Sequence, residues 1–67
     1  MIRGGDRVLK DGGDYKFEGQ VVAVFYKRSG QVRIVVENDA GILHIFSEPQ
    51  LQVLIPTESR AQADERT

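Results

Sequence analysis

The sequence predicts one small all-β domain, and three observations carry that expectation. Turn residues recur about every 8–12 positions, the spacing of a small sandwich or barrel. The stretches between them are dense in Val, Ile and Phe, as in Val21-Val22-Ala23-Val24-Phe25. No segment keeps a helical apolar period over three turns.

The elements follow in order. Met1–Gly4 is a short lead-in, residues 5–55 form the domain, and residues 56–67 read as a disordered tail without hydrophobic periodicity. Asp6–Leu9 is expected to be the first strand, and Asp11-Gly12-Gly13-Asp14 a polar loop. Gln20–Tyr26 is the second strand, closed by a turn at Ser29-Gly30. Gln31–Glu37 alternates, with Val32, Ile34 and Val36 on one face and Gln31, Arg33 and Glu37 on the other. Val35 interrupts that polar row. Asn38-Asp39-Ala40-Gly41 is a second turn, and Ile42–Phe46 a fourth strand. Ser47-Glu48-Pro49-Gln50 suits one helical turn, with Ser47 as its cap and Gln50 three residues on. Leu51–Leu54 is the fifth strand, ended by Pro56. Five short strands with one helical turn before the last is the layout of a small five-stranded SH3-like barrel.

Composition narrows the function classes. A chain of 67 residues buries a modest share of its surface, and domains of this size lean on disulfides, metals or oligomerisation. There is no Cys, which excludes disulfides and thiolate sites. A single His leaves no intrachain zinc site, so no metal is expected. Oligomerisation remains. No apolar run reaches the length of a membrane span and no signal segment opens the chain, so a soluble cytoplasmic protein without membrane contact is expected. Net charge is −1, with seven basic and seven acidic residues within 1–55. That balance counts against nucleic acid as a partner. Lys27, Arg28 and Arg33 read as a solvated hairpin tip.

Strand alternation predicts a second buried surface. A small barrel buries one face of each strand and wets the other. Val21–Phe25 is apolar on both faces. In the fourth strand, Leu43 and Ile45 are expected to point inward, with Ile42, His44 and Phe46 outward. The opposite register also leaves an apolar pair outside, because successive side chains alternate. Such surfaces mark an interface or a ligand groove. Taken alone, His44 reads as a hydrogen-bonded structural residue and Lys10 as a solvated lysine.

The segments Gly5-Asp6-Arg7-Val8-Leu9-Lys10, Gly19-Gln20-Val21-Val22, Val36-Glu37 and Gly41-Ile42-Leu43-His44-Ile45-Phe46 together resemble the plasmid-encoded, trimethoprim-insensitive type B dihydrofolate reductases. The likeness spans residues 5–54, about three quarters of the chain. It implies an SH3-like barrel protomer, a homotetramer around one central pore, and NADPH-dependent reduction of dihydrofolate in that pore. Lys10 matches the family's lysine that attracts anionic ligands near the pore mouth. Leu43-His44-Ile45-Phe46 matches the family's Val-Gln-Ile-Tyr run. By that match His44 lines the pore centre, the Ile45 backbone holds the nicotinamide carboxamide, and Phe46 lies along the cofactor. His44, Ile45 and Phe46 are thus the expected catalytic residues, with Lys10 and Leu43 joining them in ligand binding.

The chain also departs from the family. His44 and Phe46 replace Gln and Tyr. The loop 11–17 is one residue longer and the turn 38–41 shorter, at the place of the family's inter-dimer histidine. Phe17 and Val24 stand where the family has tryptophans, and this chain has no Trp. Family catalysis by proximity, with solvent supplying the proton, tolerates such change better than a site built on one acid. A second expectation is a non-catalytic SH3-like interaction module using Phe25, Tyr26, His44 and Phe46. A third, a nucleic-acid-binding barrel using Tyr26, Arg28 and Arg33, is disfavoured by the charge balance.

Overall fold

The structure is a computed structural model describing residues 2–56. The expected tail therefore lies, but for Pro56, outside the described residues. Five antiparallel strands form one sheet in the order β4-β3-β2-β1-β5. They are β1 (Arg7–Gly12), β2 (Tyr15–Tyr26), β3 (Val32–Glu37), β4 (Leu43–Phe46) and β5 (Leu51–Ile55). The expected all-β class and strand order along the chain hold. The sheet is not closed: β4 and β5 are its two edges.

One face of the sheet covers the core of Ile2, Val8, Phe17, Val21, Ile34, Val36 and Phe46, with Val24, Val32 and Leu51 packed against it. A 3-10 turn at Glu48–Gln50 touches both β1 and β3, which β2 separates in the sheet. The expected cap is present there. Gln50 Oε1 accepts from the Ser47 backbone N–H at 2.9 Å and from its hydroxyl at 3.0 Å.

Strands β1 and β2 are longer than the sequence indicated. Gly12 pairs with Tyr15, so the connection is only Gly13-Asp14. Gly13 takes φ +68°, the requirement at the first central position of a type II′ hairpin turn.

Strand β2 does two jobs in sequence. Its first half pairs with β1 and its second half with β3. Gly19 sits between them, and a Cβ there would stand 2.2 Å from the Glu37 carbonyl oxygen. Just beyond, the ladder steps from Val21 opposite Val36 to Ala23 opposite Val35, leaving Val22 as a bulge. A bulge adds one residue and bends its strand. It also reverses which face later residues occupy. Phe17, Gly19 and Val21 are buried before it, whereas Val24 packs inward after it. The run Val21–Phe25, apolar on both faces in sequence, is the signature of that phase change.

Candidate functional site

The facing expected for the fourth strand is corrected by the structure. Phe46 lies opposite Ile34 and His44 opposite Val36, and both β3 partners are fully buried. Residues directly opposite in a ladder share a face. Phe46 is therefore inward, only 3% exposed, and His44 is half-buried on the same side. Leu43 and Ile45 point outward instead, 56% and 60% exposed. Ile42 is exposed as expected, but precedes the strand, its N–H donating to Asn38 Oδ1 at 2.9 Å.

The outward face carries an apolar row across three strands. Ile45 lies opposite Val35, and Val35 opposite Ala23. Leu43 flanks the row beside Glu37, and exposed Phe25 flanks it beside Arg33. Strand β4 is an edge, so one side of its backbone bears no ladder. Gly41–Phe46 contains no Lys, Arg, Asp, Glu or Pro, the residues that usually blunt an edge.

On the inner side, four rings form a ladder. The first half of β2, freed from β3, brings Tyr15 and Phe17 over to β4. The Phe17 and His44 rings stack with centroids 4.1 Å apart and planes 11° from parallel. Phe46 sits 5.6 Å from Phe17 and 5.9 Å from His44, at the buried end. Tyr15 meets His44 edge-on at 5.6 Å, and its hydroxyl lies 3.3 Å from His44 Nδ1. Tyr15 is 46% exposed and forms the wet end of the ladder.

Lys10 completes the group, but not as a solvated lysine. It is buried, and its ammonium lies 3.7 Å from the Tyr15 ring centroid. Nζ donates to the Gly12 carbonyl and, at 2.8 Å, to the Tyr15 carbonyl. Two of its three hydrogens are thus held by its own hairpin. Beside it a crevice of about 360 Å³ is lined by Lys10, Asp11, Gly12, Gly13, Pro49 and Gln50.

The structure therefore brings Lys10, His44 and Phe46 into one inner cluster and places Leu43 and Ile45 on the opposite face. Tyr15 was not singled out in the sequence, and Phe17 only as a replaced tryptophan. The alternation Tyr15, Phe17, Gly19, Val21 against Lys16, Glu18, Gln20 was the available signal, and Gly19 obscured it. On the remaining flank, Arg7 donates to Glu18 and Asp39, bridging β1 and β2 to the β3–β4 turn. Its guanidinium is held more firmly in its charged form, first by Asp39 and then by Glu18. No group of three or more metal-ligating side chains occurs among the described residues. Among these residues, too, no helix is long and apolar enough to cross a membrane.

No family model, curated protein or solved structure matches this chain.

Proposed function

We propose that this chain is the protomer of a homotetrameric oxidoreductase that reduces dihydrofolate with NADPH, in a site shared between copies and insensitive to trimethoprim. The observation that carries the reading is the outward, uncovered face of β4. The strand holding the Leu43-His44-Ile45-Phe46 motif is an edge, and Leu43 and Ile45 lie open to water. A domain this small gains most from burying such a face against further copies.

The donor set suits the cofactor proposed. An exposed Leu43–Ile45 surface can hold the flat face of a nicotinamide. An edge strand turns some backbone N–H and C=O groups away from its ladder, which suits a carboxamide. NADPH, when bound, supplies the hydride to dihydrofolate, and solvent supplies the proton. The chain's share is to orient and to exclude water. Leu43 and Ile45 form the apolar wall on the outer face, and His44, on the inner face, would offer its ring nitrogen across the β4 edge or from a neighbouring copy. Phe46 supports His44 from within.

The test is loss of NADPH absorbance on adding dihydrofolate to the full chain in the presence of trimethoprim. Continued turnover is expected. A stable tetramer with no turnover would instead favour a self-associating SH3-like module. That second reading rests on Phe25, Tyr26, His44 and Phe46, of which Phe25 and Tyr26 are exposed and His44 half-buried, while Phe46 lies within the core.

A further inference from the structure

The inner cluster joins His44, at the centre of the motif, to Tyr15, the first residue of β2. We infer that Tyr15 is a positioning residue that fixes the tautomer of His44, so that His44 presents an Nε2–H donor to an acceptor atom on the bound ligand. The inference rests on the reading of β4 as the ligand-binding strand.

Which ring nitrogen of a neutral histidine carries the hydrogen is set by the bond the other one makes. Here Nδ1 faces the Tyr15 hydroxyl at 3.3 Å. Either group can donate in that pair, and Lys10 decides between them. Its ammonium lies 3.7 Å from the Tyr15 ring centroid. A cation against the ring draws electron density from the phenol and makes its O–H the better donor. Tyr15 then donates, Nδ1 accepts, and the hydrogen resides on Nε2.

The ring has little freedom to turn away. Phe17 stacks on it at 4.1 Å and 11°, and Phe46 closes the inner end. Nε2 has no hydrogen-bond partner among the described residues, yet no buried side-chain nitrogen or oxygen lacks one there. Nε2 therefore reaches the surface. The arrangement offers a single hydrogen-bond donor beside an aromatic ladder. The ligand chemistry that fits is a planar heterocycle bearing a carbonyl or ring-nitrogen acceptor.

The chain has one His, so its imidazole nitrogens can be read without ambiguity by long-range proton–nitrogen correlation on the full-length protein. At about pH 8 the Nε2–H pattern is expected to dominate. Tyr15→Phe keeps the ring against Lys10 and removes only the hydroxyl. It is expected to lower the Nε2–H to Nδ1–H ratio about fivefold, the worth of one net hydrogen bond. It should also lower kcat/KM by a similar factor, about fivefold. An Nδ1–H pattern in the wild type, or a ratio unchanged in Tyr15→Phe, would overturn the inference. The imidazole nitrogen patterns do not depend on turnover, unlike kcat/KM. A wild type with the expected tautomer but no NADPH oxidation sinks the reductase reading alone, whereas turnover with the wrong tautomer sinks this inference alone.

Discussion

Gly19 shows how one residue sets both fold and site. A Cβ added there would meet the Glu37 carbonyl at 2.2 Å and the Glu37 carbonyl carbon at 2.7 Å. Both belong to backbone that cannot swing aside, so Gly19→Ala is expected to destabilise the chain by about 3 kcal/mol. Urea unfolding checks this, and an unchanged midpoint would refute the close approach. For a domain of this size, that is a large share of total stability. Ile34, fully buried opposite Phe46, gives the complementary case. Ile34→Ala is expected to cost about 2–5 kcal/mol through lost burial and the cavity left behind. At this scale the sequence disclosed what was chemically distinctive, not what was spatially adjacent. His44 stood out as a lone imidazole among apolar neighbours. Its ring partners Tyr15 and Phe17 lie 27 or more positions away in the chain, and no local pattern encodes those contacts.

Among the elements, β3 was the most legible because its polar row gives it a phase. Gln31, Arg33 and Glu37 mark one face, and the fully buried Ile34 and Val36 confirm the other. Strand β4 has no such marker. Ile42-Leu43-His44-Ile45-Phe46 is apolar or aromatic at every position, so alternation fixes the period but not which set faces in. The phase comes from the turn before it, where Asn38 Oδ1 accepts from the Ala40 and Ile42 N–H groups and Gly41 takes φ +82°. That turn sets Leu43 opposite Glu37, and the rest follows. Strand β2 hid its phase for another reason: the Val22 bulge reverses it midway. The corrected facing of β4 has a direct consequence. Ile45→Asp places a charge on the outward apolar row and touches no core residue. It is expected to leave the unfolding free energy of the isolated chain, read from urea titration, within about 0.5 kcal/mol of wild type. The same substitution should abolish assembly in sedimentation. Phe46→Asp should do the reverse and unfold the chain outright.

For the whole molecule, size and composition raise the expectation of association, and the structure shows an exposed apolar row that association would cover. The described residues hold no disulfide and no metal-ligating cluster. What the chain has instead is an edge strand without charge or proline, next to an apolar row of Ile45, Val35 and Ala23. Surface ion pairs add little to this balance. Arg7→Ala removes bridges to Glu18 and Asp39, yet should cost less than about 1 kcal/mol because both partners are wet. Sheet closure was not legible in the sequence, since it depends on how far β4 and β5 are brought together, and here they remain edges. The proposed reductase activity belongs to the assembly and not to the single chain. Specific activity of NADPH-dependent dihydrofolate reduction, followed over a dilution series alongside sedimentation, tests it most directly. Activity per chain is expected to fall in proportion to the tetramer fraction and to vanish in the monomer. Turnover by the monomeric chain, or an intact tetramer that does not turn over, would contradict it.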